Sequence, residues 1–175
     1  MNRTVLNGYV PNRYVLVAGV AAAQLALTAT AVAPQLSARV TGESYLVRVE
    51  LYDPIDPFRG AYVALAYPDL PATRDAEQTP ELPDLEGPEG RVFVSLTERD
   101  GVYVATDWSR ERPEEGVFLS CSDGSWSLRC GIESWFVPQD EAAELERELM
   151  DSGGIAELRI DSRGNAAIVD LKARG

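Results

Sequence analysis

The chain has 175 residues, 45% apolar and 25% charged, with a formal charge of −12, no histidine and a single lysine, Lys172. This mix is globular rather than disordered, and so acidic a balance without a basic footprint excludes a nucleic-acid partner. Without histidine there is no Ser-His or Cys-His nucleophile pair and no histidine metal ligand, and Lys172 lies too close to the frayed end for a Ser-Lys dyad.

Charge is unevenly spread. Arg3 and Arg13 are the only basic residues before Arg39, and none of the 28 acids precedes Glu43. Residues 14–32 carry no charge at all. As a helix they would span about 28 Å, close to the ~30 Å of a hydrocarbon core. Seven Val and Leu residues favour insertion by about −2 to −4 kcal/mol in sum, before Gln24, Thr28 and Thr30 subtract from it. This predicts a modest transmembrane anchor. Two alternatives stand beside it: a buried soluble helix, and a signal peptide cleaved after Ala29-Thr30-Ala31. The positive charges before the span place residues 1–13 in the cytoplasm and the rest of the chain outside, as a single-pass protein of the cell membrane. Residues 33–43 read as a tether.

Residues 44–175 read as a mainly antiparallel β domain with one short helix, an α+β class. Ser44–Tyr52 alternates, with Tyr45, Val47, Val49 and Leu51 on one face. Ala61–Tyr67 is a second strand, with Val63 and Leu65 inward. Residues 68–90 hold five prolines and seven acids against one arginine, which reads as a solvated loop. Arg91–Thr97 and Val102–Thr106 flank an Asp100-Gly101 hairpin signal. Gly116–Ser122 and Ser127–Val137 read as strands around residues 122–126. A helix follows, with Asp140 as N-cap, Gly153 as its stop, and Ala142, Leu145 and Leu149 as its apolar stripe. Ile155–Ile160 and Ala166–Leu171 close the chain as a hairpin around 162–165.

Cys121 and Cys130 are the only cysteines, and the expected compartment is oxidising. A tight Asp123-Gly124 turn would put Cys121 opposite Trp126, out of bonding range. A looser connection over 122–129 would bring the two thiols together. Both readings stay open from sequence. No phosphate-cradling glycine loop and no metal-ligand spacing occurs, so no cofactor or metal is expected. Paired carboxylates remain the one open route to catalysis, and no catalytic residue can be picked by spacing.

The stretch Asp53-Pro54-Ile55-Asp56-Pro57-Phe58-Arg59-Gly60 is the most distinctive in the chain. Each Asp-Pro step starts a turn, and Arg59 can fork onto Asp53 or Asp56. Gly60 lets the chain enter the next strand with a positive φ. The stretch reads first as an ion-paired corner and second as a recognition site.

Gly60, Tyr62, Leu65 and Tyr67 match the motif of the GDYXXLXY family, which this chain resembles over nearly its whole length. Ala61 departs, standing where that family has aspartate. A second block, Gly131-Ile132-Glu133-Ser134-Trp135-Phe136-Val137-Pro138, is similar to the family's Gly-Ile-Glu-x-Tyr-Phe-Val-Pro segment, with Trp135 for tyrosine. The resemblance implies a membrane-anchored envelope protein that accompanies a multi-pass membrane protein, and it supplies no catalytic residue. Loss of the motif aspartate at position 61 weighs against an enzyme. The leading expectation is an extracytoplasmic interaction or accessory module. An envelope hydrolase using paired carboxylates and a secreted ligand-binding domain are the rivals.

Overall fold

A computed structural model describes residues 12–52, 62–71, 85, 87–124 and 127–174. Helix α1 (Arg13–Thr41) comes first, then strands β1 (Glu43–Leu51), β2 (Tyr62–Ala66), β3 (Arg91–Arg99), β4 (Val102–Ser109), β5 (Val117–Ser122) and β6 (Ser134–Phe136). Helix α2 (Gln139–Ser152) and strands β7 (Gly154–Ile160) and β8 (Ala166–Ala173) complete the chain. It divides into two compact units, residues 1–33 and 34–175.

In the first unit α1 is long and apolar enough to cross a membrane, and none of the side chains in its apolar window is buried. Tyr14, Leu16, Val20, Leu25 and Leu27 all stand more than half exposed. The helix does not stop at residue 32. It runs through Pro34 to Thr41, so residues 33–41 of the expected tether are helical.

The second unit is built of antiparallel strands, as its alternation predicts. One sheet has the order β6-β2-β1-β7-β8 and the other β4-β3-β5. On β1, Val47 and Val49 are buried while Leu46 and Glu50 face out. They meet Val63, Leu65, Val94, Leu119, Leu158 and Ile160 in one core fed by both sheets. Leu149 of α2 joins that core. At the Asp100-Gly101 hairpin both residues take positive φ, 54° and 80°, the twist that a two-residue turn needs.

Three sequence expectations are corrected. Residues 127–137 are not one strand. Arg129 forms a single bridge with Ser122, and strand structure resumes only at Ser134, now paired to β2. Gly131 turns the chain at φ 82°, and the Glu133 carboxylate accepts the Cys130 and Gly131 N–H groups at 2.5 and 3.0 Å. That local closure competes with the ladder and wins. Helix α2 starts two residues earlier than expected: Pro138 occupies the cap position without a side-chain bond, and Asp140 lies inside the first turn. Pro138 holds φ −54° and ψ 144°, an extended conformation that ends the preceding strand. Within 68–90, Leu70 and Leu85 are core residues. The described ends of this loop are therefore anchored, and residues 72–84 and 86 lie outside the described residues.

Candidate functional site

Asp53, Asp56, Arg59 and Gly60 lie outside the described residues, so the expected Arg59 fork is not described. Tyr62 and Leu65 of the motif are on β2, and Tyr67 follows its last residue. Tyr62 pairs in register with Phe136, Val63 with Trp135 and Ala64 with Ser134. The Leu65 N–H donates to the Glu133 carbonyl at 2.9 Å, and the Tyr67 hydroxyl donates to the Ile132 carbonyl at 2.5 Å. The two blocks that carry the sequence signature, some 65 residues apart, are thus neighbouring segments of one sheet edge.

The chemistry of this junction is inward-looking. Leu65 and Ile132 are buried. Burial, and then the nearby Glu133 charge, push the Tyr67 phenol well above its ordinary value, so it stays a neutral donor. Glu133 spends one carboxylate oxygen on the Cys130 and Gly131 N–H groups. Tyr67 and Glu133 therefore hold the 130–133 turn against the motif strand.

Cys121 and Cys130 are disulfide-bonded with a Cα–Cα distance of 4.1 Å. The register explains the bond. Ser122 and Arg129 exchange both backbone hydrogen bonds, at 2.8 Å each. One step outward, residues 121 and 130 form a non-hydrogen-bonded pair, the position where opposed Cα atoms come closest. The bond ties Cys130, the residue just before the second signature block, to β5 of the other sheet.

Asp123 does not make a tight turn with Gly124. It is buried, and its carboxylate accepts the Gly90 N–H at 2.6 Å and a two-pronged bond from Arg110 at 3.0 and 2.6 Å. Arg48 makes a similar fork onto Asp69. Neither pairing was legible from spacing, since the partners sit on different elements.

A third network holds the last turns of α1. The Asp161 side chain is 2% exposed. Its carboxylate accepts the Ser37 hydroxyl at 2.5 Å, the Arg163 and Asn165 N–H groups at 2.9 and 3.0 Å, and the Asn165 side-chain amide at 2.9 Å. Burial alone would raise this carboxyl, but the Ser37, Asn165 and Arg163 donors outweigh it and hold it below the ordinary range. Arg159 caps the helix end, donating to the Arg39 and Gly42 carbonyls at 2.9 and 3.0 Å. Gln35 donates to the Gly131 carbonyl at 2.8 Å. Residues 34–42 are thus a built-in part of the β domain. The one sequence cue was Asp161 opening the Ser-Arg-Gly-Asn turn, where a carboxylate binds backbone two residues on.

Two depressions mark the surface of the second unit. One, of about 420 Å³, lies between β1 and the end of α2 and presents Arg48, Glu50, Asp151 and Arg174. The other, of about 300 Å³, lies beside the disulfide. Among the described residues no three acidic or sulfur side chains converge as a metal site.

A family model described as GDYXXLXY protein matches residues 24–171. No curated protein and no solved structure matches the chain.

Proposed function

Taking as premise that this chain belongs to the GDYXXLXY family, we propose that it is a single-pass membrane protein whose β domain acts outside the cytoplasm as an accessory module for a multi-pass membrane partner. The observation that carries this reading is α1. Its apolar window exposes every side chain, and at about 25 cal/mol per Å² a helix so exposed needs an apolar medium. The N-terminal Arg3 and Arg13, with no acid before Glu43, set the orientation.

The described part of the motif supports an accessory role over chemistry. Tyr67 and Glu133 use their polar groups to hold the fold together. Position 61 carries alanine rather than a carboxylate.

The test is protease shaving of intact cells, followed by alkaline extraction of membranes and chemical cross-linking. Residues 34–175 should be cut from outside, the intact chain should resist extraction, and cross-links should capture an integral membrane protein. Protection from external protease refutes the orientation. A mature chain starting at Val32 in the medium replaces the anchor with a signal peptide. Cross-links only to soluble proteins refute the partner class.

A further inference from the structure

We infer that the groove beside the disulfide binds the anionic headgroup of a membrane lipid. This rests on the reading of α1 as a membrane anchor. In the ladder, Arg91 of β3 stands opposite Ser122 of β5, and Ser122 stands opposite Arg129. Residues directly opposed across adjacent strands point to the same face, so two guanidinium groups flank one hydroxyl in a single row. All three residues are exposed.

Among the described residues, no ion pair compensates the charge of this row. The groove, about 300 Å³, is lined by Arg91, Ser122, Arg129, Gln35 and Asn165 among others, and among the described residues no Asp or Glu is on its wall. Among the described residues, neither guanidinium makes a side-chain hydrogen bond or an ion pair, whereas Arg48 and Arg110 are each forked onto a carboxylate. In a chain of charge −12, two arginines on either side of one hydroxyl gain by sharing an anion between them. A phosphate diester suits them: guanidinium forks match its oxygens, and Ser122 adds a hydroxyl donor.

Location selects the source of that phosphate. Pro34 and Gln35 line the groove, and they follow the last residue of the apolar stretch, Val32, by two and three positions. A cationic groove tied so closely along the chain to a membrane span meets headgroups at far higher local concentration than any soluble phosphate.

The experiment uses the full chain in nanodiscs, either of phosphatidylcholine alone or of equal parts phosphatidylcholine and phosphatidylglycerol. Phenylglyoxal modification of each arginine is followed by peptide mapping. Arg99, at the opposite end of β3 and about 26 Å away by strand rise, is the internal control. Arg91 and Arg129 should react about fivefold more slowly in the anionic discs, with the protection lost in high salt and Arg99 unchanged. Arg129→Gln should abolish the protection of Arg91. Equal rates in the two lipids overturn the inference. Protection by inorganic phosphate in the phosphatidylcholine discs, matching that of the lipid, overturns the assignment to a headgroup. Failure of the chain to enter either disc refutes the anchor instead, a result visible by flotation before any labelling.

Discussion

Replacing Asp161 with alanine tests whether the end of α1 is truly built into the β domain. The substitution removes the acceptor of two backbone N–H groups, those of Arg163 and Asn165, and of the Ser37 hydroxyl. A buried donor left without an acceptor costs about 1–3 kcal/mol, and a bond to a charged group contributes about 1.5–3 kcal/mol. The terms overlap, and water can reach the exposed Arg163, so we expect about 3–5 kcal/mol in total. For a domain of this size that lowers the melting temperature by roughly 10–15 °C. Asp161→Asn should cost about half as much: its one oxygen can still serve the turn, but its amide opposes the Asn165 amide, donor against donor. Ser37→Ala should cost about 1–2 kcal/mol. The assay is thermal melting of the full chain in detergent, beside hydrogen exchange of the amides of residues 38–42. Those amides should exchange faster in Asp161→Ala and Ser37→Ala, while β3 and β4 keep their protection. An Asp161→Ala variant melting within about 2 °C of the parent would refute the account.

Acid should loosen the same network. Asp161 titrates lower folded than unfolded, so its contribution is complete above its ordinary value of 3.8 and is lost as pH falls through that value and below; a melting series against pH should lose this step in Asp161→Asn. Asp123→Ala removes the buried acceptor of the Gly90 N–H and of the Arg110 fork and should lower stability to urea, with Asp123→Asn milder. Gly164 holds φ 81°, and an added Cβ would lie 2.7 Å from the Phe118 ring and 2.8 Å from the Ser120 nitrogen; Gly164→Ala should therefore cost more than about 2 kcal/mol, and a neutral result would disprove that close approach. Thiol titration of native protein should find no free cysteine, and reduction should lower stability by about 2–3 kcal/mol.

Strand alternation and turn residues made most of the fold readable. β1 and β7 lie where period-two patterns place them, because each buries alternate residues; β3 and β8 were legible from their apolar runs and flanking turns, although Val92–Val94 and Ala166–Ile168 are buried consecutively. The region 127–137 misled for a physical reason. Its apolar run looks extended, yet Gly131 and the Glu133 carboxylate close a local turn that no periodicity reports. Leu70 and Leu85 were invisible for the opposite reason: single leucines in acidic, proline-rich surroundings carry no period, and only the tertiary fold buries them. The signature residues Tyr62, Leu65 and Tyr67 were legible as a motif, but their meeting with residues 132–136 was not. That meeting depends on β6 leaving β5 for β2. The Arg48–Asp69 and Arg110–Asp123 forks needed three-dimensional proximity, since no spacing in the chain brings those partners together.

The strand order also governs when the domain can exist. β1 is made first, yet one of its two neighbours is β7, where Glu43 meets Ile160 and Val49 meets Gly154. More than a hundred residues must be synthesised before that side of β1 finds its partner. Until then a central strand presents bare backbone polar groups, which invite pairing with other chains. The β7–β8 hairpin is therefore a closing step rather than an ornament at the end of the chain. A nascent protein halted before residue 154 has most of its length and neither the sheet nor the Asp161 seat for its helix.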